Sequence, residues 1–348
     1  MISIQSLFIA SIWSFLLSLF ISYYLKKKNF LLDQIFSSQH KQLTAVHLTN
    51  KVTLCGGLII LICSLLFFGK ELLILKILSI FVLIIGLLSD INKLNSPKIR
   101  IICQFFIVLF LLISNQNLLI TDLRTSFLNN ILDLKIASIL FTIFCILILI
   151  NGSNFLDGIN TLVIGYYLLV LGIIVITSTQ FDLYINYNIF YLIIFLFIVF
   201  LFNFFNQIYL GDSGSYLVSF LTAFFILDSV AKNDLVSPYF FCLLLWYPAF
   251  ENLFSILRRF FLKRKLEEAD QGHLHQIIFK FLYQKNFFDT KYINTASGTL
   301  INFYNFIIFI ISYKYYLHTE YLVLFILLNI FVYLFLYFFI KKKFNHSK

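Results

Sequence analysis

A polar segment, Asn151-Gly-Ser-Asn-Phe-Leu-Asp-Gly-Ile-Asn160, interrupts the apolar middle of the sequence. Uncharged residues precede it (136–150) and follow it (161–177). Burying Asn and Asp side chains in hydrocarbon costs on the order of several kcal/mol each unless they find partners. An interfacial turn is one interpretation, but a turn needs fewer polar residues than this. We therefore favour a site at the membrane face, with a carboxylate from Asp157 and amides from Asn151 and Asn154.

Two other acidic residues occupy short polar segments. Asp212 lies between glycines in Gly211-Asp-Ser-Gly214, and Asp90 ends an apolar run. A simple loop and a helix-end charge beside Lys93 are the alternatives. If the helices bundle, Asp90, Asp157 and Asp212 converge, and because like charges repel, they require a cation. Oxygen ligands without Cys favour Mg²⁺ or Mn²⁺.

Two features of the sequence suit a phosphate-bearing substrate. Gly211 and Gly214 allow backbone N–H groups to approach an anion closely. His273 and His275 form a His-Leu-His motif in a segment rich in Lys and Arg. Alternate residues of an extended segment face one way, so the two imidazoles would bind a diphosphate together. A zinc site and solvated loop histidines are the alternatives, and the lack of nearby Cys argues against zinc.

Composition identifies a polytopic membrane protein. The chain has 348 residues, of which 61% are hydrophobic and 12% charged, with a mean hydropathy of +0.93. A soluble domain is about a quarter charged. The first apolar run is followed by Lys26-Lys27-Lys28 rather than preceded by basic residues, so it does not resemble a secretory signal. The five Cys form no CxxC pair, and we expect neither disulfides nor a metal cluster from them.

Apolar runs of about 17 to 21 residues predict an all-α transmembrane helix bundle of about 11 spans, or 10. The predicted spans are 5–25, 52–68, 72–89, 99–114, 136–152, 158–178, 187–205, 214–230, 237–257, 298–317 and 321–340. We expect one integral membrane domain, 1–348, in which the loop 258–297 carries the His-Leu-His motif.

The distribution of basic residues predicts the orientation. With eleven spans, 20 Lys and Arg residues fall on the side reached after the first span, 5 fall on the other side, and Lys76 lies within a span. The positive-inside rule makes the first side cytoplasmic. The net charge of +10 thus reflects basic loops rather than a nucleic-acid partner. The polar, Gly-rich turns all lie on this cytoplasmic side, as expected when one face handles a soluble charged substrate.

In combination these motifs resemble the polyprenyl-phosphate N-acetylhexosamine-1-phosphate transferases of glycosyltransferase family 4. The resemblance extends from about His47 to Ile278 and is closer to the branch serving O-antigen, capsule and teichoic-acid linkage than to the muramyl-pentapeptide branch. The matching pieces are His47 with Gly56-Gly57, Gly86-Leu-Leu-Ser-Asp90, Ser96-Pro-Lys-Ile-Arg100 with Gln104, Asn151-x-x-Asn154-x-x-Asp157-Gly158, Leu210-Gly-Asp-Ser-Gly-Ser215, and Tyr247-Pro-Ala-Phe-Glu251 through Arg258-Arg259 to Asp270-Gln-Gly-His-Leu-His275.

The resemblance implies transfer of a sugar-1-phosphate from a UDP-sugar to polyprenyl (undecaprenyl) phosphate. UMP would be released and lipid-linked glycan synthesis would begin at the cytoplasmic face of the inner membrane. Asp212 would bind Mg²⁺, Asp157 with Asn151 and Asn154 would hold nucleotide and metal, and Asp90 would lie beside the lipid phosphate. The further implied substrate-binding residues are His47, Gly211, His273, His275, Arg258 and Arg259. The donor sugar stays open, as does the choice between monomer and homodimer.

Two departures from the family pattern stand out. Ser89-Asp90 replaces two adjacent Asp residues, and Thr53-Leu54 replaces Pro-Arg. A catalytically inactive relative is therefore one alternative. However, the second pKa of a phosphate monoester is near 6, so the lipid phosphate is already a dianionic nucleophile at neutral pH. A transporter or flippase of lipid-linked sugars is the other alternative. It would need ionisable residues near mid-span, which this chain mostly lacks.

Overall fold

The computed structural model describes residues 3–33, 52–263, 272–285 and 287–345. Those residues form fourteen α-helices and three single-turn 3₁₀ helices. The α-helices are α1 (Ile4–Lys28), α2 (Gly56–Phe67), α3 (Leu73–Asp90), α4 (Pro97–Ser114), α5 (Ser126–Leu132), α6 (Lys135–Leu156), α7 (Leu162–Gln180), α8 (Asn188–Phe204), α9 (Gly211–Lys232), α10 (Pro238–Leu244), α11 (Trp246–Phe261), α12 (Leu274–Lys285), α13 (Thr290–Ser312) and α14 (Thr319–Asn345).

The predicted all-helical membrane fold is confirmed. Within the described ranges, eight helices are long and apolar enough to cross a membrane, and α10 with α11 could form a ninth span bent by 71°. The helices α2 and α8 fall inside two other predicted spans but have only 12 and 17 residues. Helix length therefore identifies eight or nine spans, and the predicted count of about eleven is not confirmed.

Helix α9 forms the centre of the bundle. In the most apolar 18-residue stretch of α9, 89% of the residues are buried inside the protein. The corresponding stretches of α1 and α14 are only 22% buried. Helix α9 packs against α2, α3 and α6. A Cβ atom on Gly86 of α3 would lie 2.2 Å from Cα of Ser213, and one on Gly57 of α2 would lie 2.6 Å from Cα of Gly214. Glycines therefore let two neighbouring helices approach the first turn of α9 at backbone distance.

The polar segment of residues 151–160 ends α6 and forms the connection to α7. Thr161 has a φ of 66°, in the left-handed region. Its N–H donates to Oδ1 of Asn203 over 2.6 Å, and its carbonyl accepts from Asn302 over 2.8 Å. Side chains of α8 and α13 thus satisfy backbone groups that water cannot reach. This bonding holds the N-terminal end of α7, and with it the connection from α6, in place.

The segment of residues 258–297 contains helices where it is described. Residues 258–261 complete α11, α12 occupies Leu274–Lys285, and α13 begins at Thr290, before the predicted span start at 298. The C-terminal ends of α3 and α6, the N-terminal ends of α4 and α9, and His273 of the His-Leu-His motif line one cavity.

Candidate active site

A cavity of about 1210 Å³ contains most of the candidate residues. Its polar wall includes Asp90, Asp157, Asp212, Asn151, Asn154, Arg259 and His273. Ile101 of α4, Phe144 and Leu147 of α6, and Ile256 of α11 contribute an apolar wall. The three carboxylates, which are far apart in the chain, therefore face a common space that has a charged region and a hydrocarbon-like region.

Asp90 is the last residue of α3, and its carboxylate binds the first turn of α9. Oδ1 accepts from the N–H of Asp212 over 2.8 Å, and Oδ2 accepts from the N–H of Ser213 over 3.1 Å. The first N–H groups of a helix have no partner inside the helix and favour an anion. Gly211 has a φ of 69°, and a Cβ there would lie 2.8 Å from Oδ2 of Asp90. The anion that this glycine admits is thus the carboxylate of the protein itself.

Asp212 lies in the first turn of α9 at the centre of a hydrogen-bond network. Its Oδ1 accepts from Nδ2 of Asn154 over 2.8 Å. Its Oδ2 accepts from Oγ of Ser89 over 2.6 Å and from Nη1 of Arg100 over 3.0 Å. Arg100 also donates to Oγ of Ser89 over 2.6 Å and to the hydroxyl of Tyr216 over 3.2 Å. The charge of Asp212 is therefore balanced by one guanidinium.

The polar end of α6 presents its side chains along one stripe. Asn151, Asn154 and Asp157 are three residues apart, so they lie on one helix face. Asn151 donates from Nδ2 to Oε1 of Gln104 over 3.0 Å, which ties α6 to α4. Asp157 is the C-cap residue of α6 and lines the same cavity. All three residues therefore line the cavity, and their roles in holding nucleotide and metal stay predictions.

The two histidines of the motif are close together but differ in position. His273 precedes α12 and lines the cavity, while His275 lies inside α12, is fully buried and is not part of the cavity wall. Their rings stack with centroids 5.5 Å apart and an angle of 16°. The motif is therefore not an extended segment, because α12 begins at Leu274. Nε2 of His275 lies against Gly158, where a Cβ would approach it to 2.9 Å.

The two arginines at the end of α11 also diverge. Arg259 lines the cavity, and its guanidinium lies 5.5 Å from the ring centroid of Phe155. Arg258 is not part of that wall and stacks on Phe254 and Tyr337 instead, at 5.3 and 5.7 Å. The structure therefore brings one of the two predicted arginines to the site. His47 lies outside the described residues.

Arg100 is the main residue whose role the sequence did not predict. It was part of a matching motif, but its partner Asp212 is 112 residues away. Its position offered one signal, since a guanidinium in the first turn of an apolar helix needs a partner at the membrane face. Glu251, which is fully buried on α11, is a second such residue and binds Nδ1 of His273 over 2.9 Å.

The donor chemistry suits a hard divalent cation, although the three carboxylates do not form one cluster. In the described ranges no group of three or more His, Cys, Asp or Glu side chains is arranged to hold an ion, and both oxygens of Asp90 accept backbone N–H groups. The expectation that Asp90, Asp157 and Asp212 grip one ion is thus not met. A carboxylate accepts at about four lone-pair sites, and the hydrogen bonds described above fill three of those on Asp212. Mg²⁺ commonly takes one or two carboxylates plus phosphates and water, which Asp212 and Asp157 would fit.

Comparison with known proteins gives two matches. Residues 72–230 match the model of a family described as glycosyl transferase family 4. Over 209 residues the chain is 24% identical to the probable undecaprenyl-phosphate N-acetylglucosaminyl 1-phosphate transferase of Bacillus subtilis (strain 168). That alignment covers 58% of this chain and 57% of the relative, so the match spans little more than half of either protein. The family match includes both ends of the Asp90–Asp212 contact and stops before His273.

Proposed function

We propose that this chain, which belongs to glycosyl transferase family 4, transfers a sugar-1-phosphate from a UDP-sugar to polyprenyl (undecaprenyl) phosphate. N-acetylhexosamine-1-phosphate is the group that we expect to be transferred, with UMP as the leaving product. The B. subtilis relative carries the name of such an activity. The reaction would take place at the cytoplasmic face of the inner membrane and would begin a lipid-linked glycan such as O-antigen or another envelope polysaccharide.

The cavity is the observation that supports this proposal most directly. It combines carboxylates, amides and guanidinium groups with an apolar wall formed by α4, α6 and α11. A lipid phosphate needs both environments, because its headgroup is charged and its chain is hydrocarbon. A sugar nucleotide needs only the polar part. One chamber of about 1210 Å³ therefore suits the meeting of a soluble donor with a membrane acceptor.

The chemistry requires alignment more than a strong base. An oxygen of the dianionic lipid phosphate attacks the phosphorus next to the sugar, and the bond from that phosphorus to the UMP oxygen breaks. The products are a polyprenyl-diphospho-sugar and UMP. Arg100, Arg259 and His273 would offset negative charge on the phosphates, which is the dominant need in phosphoryl transfer.

A divalent cation would be held by Asp212 and Asp157. When bound, Mg²⁺ would supply positive charge to the diphosphate of the donor. Asn154 holds the side chain of Asp212 through its 2.8 Å hydrogen bond, so this amide would orient the ligand. Asp90 fixes the helix turn that carries Asp212, through the two backbone N–H groups described above.

The test is a panel of UDP-sugars with undecaprenyl phosphate and the purified full-length protein in detergent or lipid. UMP release and the mass of the lipid product are measured. We expect one UDP-N-acetylhexosamine to give a lipid heavier by the sugar-1-phosphate. Asp212→Asn should lose most of the turnover, while Asp234→Asn, in an exposed loop, should keep it. Failure of every donor to release UMP would leave the inactive relative or the transporter as the better description.

A further inference from the structure

A buried chain of three polar side chains leads from the cavity to the last helix. Nδ1 of His273 lies 2.9 Å from Oε1 of Glu251, and the hydroxyl of Tyr333 donates to Oε2 of Glu251 over 2.7 Å. The exposed fractions of His273, Glu251 and Tyr333 are 2%, 0% and 1%. The three residues come from the start of α12, from α11 and from α14, so the contact joins three separate elements.

The contact leaves the Glu251 carboxylate little freedom. A buried carboxylate is stable only when its oxygens are hydrogen-bonded or paired, and here each oxygen has a partner. Tyr333 is itself held by aromatic packing, with its ring centroid 4.9 Å from that of Phe250 and 5.6 Å from that of Phe254. The position of Oε1, and with it the direction of the His273 ring, is thus set by a side chain of α14.

Only His273 of this group lies in the cavity wall as the described residues form it. Because Glu251 engages Nδ1, the other ring nitrogen, Nε2, lies on the edge of the imidazole remote from Glu251. Hydrogen-bonded carboxylates that hold an imidazole in one orientation and tautomer act on its function without touching the substrate. Helix α14 lies beyond the 72–230 family match.

We propose that Glu251 and Tyr333 are positioning residues for His273 and that α14 thereby completes the diphosphate-binding side of the cavity. The inference deepens the proposed function and rests on it, since it takes the ligand of His273 to be the diphosphate of a UDP-sugar. Tyr333 orients the carboxylate of Glu251, and Glu251 orients the ring of His273. Of these three residues, only His273 contacts the donor.

Tyr333→Phe is the first test, because it removes one hydroxyl and keeps the buried ring. We expect kcat/KM for the UDP-sugar to fall about tenfold, the lower end of the effect of removing a partner that orients a metal-binding histidine. The loss should appear mainly as a higher KM for the donor, with the KM for undecaprenyl phosphate unchanged. A merely structural role would instead reduce the amount of active protein and leave both KM values as they were.

Tyr337→Phe is the matched control. Tyr337 lies one turn further along α14, is 2% exposed and packs edge-on against Phe254 with centroids 5.1 Å apart. Its hydroxyl forms no hydrogen bond with the described part of the chain. We expect this variant to keep the wild-type KM for the donor. An equal rise in KM for both variants would overturn the inference, since it would assign the effect to packing of α14.

A double-mutant cycle with His273→Gln separates the inference from the proposed function. UDP is the binding probe, and its Kd is measured by titration for all four proteins alongside turnover. Tyr333→Phe should weaken UDP binding about tenfold with His273 present and less than about twofold with Gln at that position.

Equal effects in both backgrounds would overturn the positioning role while leaving transfer intact. UDP binding with the expected coupling but no UMP release would overturn the transferase and keep the positioning role, and no UDP binding at all would overturn both.

Discussion

The hydroxyl of Ser89 donates a 2.6 Å hydrogen bond to the carboxylate of Asp212, and Arg100 donates to both of them. Ser89 occupies the position at which the family that this chain resembles has the first of two adjacent Asp residues. A second carboxylate at this position would face Asp212 at hydrogen-bonding distance and would repel it unless a cation came between them. The serine instead donates a hydrogen bond to Asp212, which also accepts one from Arg100.

Ser89→Asp is expected to increase the affinity of the site for Mg²⁺, because it adds an anionic oxygen ligand beside Asp212. The Mg²⁺ concentration for half-maximal turnover should fall about tenfold, since about 1.4 kcal/mol of added attraction corresponds to a factor of ten. The measurement is a Mg²⁺ titration of UMP release. Ser89→Asn, which is similar in size to Asp but uncharged, should not produce the shift. An unchanged Mg²⁺ requirement in Ser89→Asp would show that Ser89 does not face the metal.

The sequence was sufficient to predict where polar groups gather, because burying polar residues in a membrane requires partners. Asn151, Asn154 and Asp157 stood out for that reason, and the all-helical architecture followed from hydrocarbon length. Which side chains meet was a different problem. The contact of Arg100 with Asp212 depends on how α3 and α6, which each pack against both α4 and α9, place those two helices, and no local pattern encodes that arrangement.

The lengths of individual helices and the conformation of the histidine motif also depend on tertiary contacts that the local sequence does not reveal. Helix α2 is 12 residues long although its apolar run is longer, because residues before it pair with another segment, as where the N–H of Leu54 donates to the carbonyl of Leu31 over 2.7 Å. His273-Leu-His275 was expected to be extended, yet α12 begins between the two histidines. Alternation over three residues cannot distinguish a strand-like segment from the first turn of a helix.

Removal of divalent metal is expected to abolish transfer. Membranes or purified protein treated with EDTA should lose radiolabel transfer from UDP-sugar to lipid, and added Mg²⁺ or Mn²⁺ should restore it. Zn²⁺ should restore less, because Asp212, Asp157 and their amide neighbours offer oxygen ligands only. Turnover that survives complete removal of metal would show that Arg100 and Arg259 suffice for charge neutralisation and that the cation has no part in the reaction.

Asp90→Ala is expected to destabilise the fold as well as to lower activity. The variant leaves the N–H groups of Asp212 and Ser213 without their carboxylate acceptor, and losing such a cap costs about 1–2 kcal/mol. A lower midpoint of thermal unfolding in detergent would report the loss. Asp133→Ala, on an exposed turn, is the control and should unfold with the wild-type midpoint. Asp90→Asn retains one oxygen acceptor, so its unfolding midpoint should lie between those of Asp90→Ala and Asp133→Ala. A wild-type midpoint for Asp90→Ala would contradict the capping role.

Gly86→Ala is expected to displace Asp212 from its place in the cavity. A Cβ at Gly86 would lie 2.2 Å from Cα and 2.5 Å from N of Ser213, and these are backbone atoms that cannot rotate away. Helices α3 and α9 must therefore separate, which carries the first turn of α9 away from Asp90 and Ser89. We expect at least tenfold lower turnover and a destabilisation of about 1–3 kcal/mol, the usual range for overpacking.

Gly172→Ala is the matched control, since Gly172 lies within α7 and a Cβ there meets nothing within 4 Å. That variant should be at least as stable as the wild type, because Ala favours the helix over Gly. Equal behaviour of the two variants would mean that α3 and α9 are not in the backbone contact on which the position of Asp212 depends.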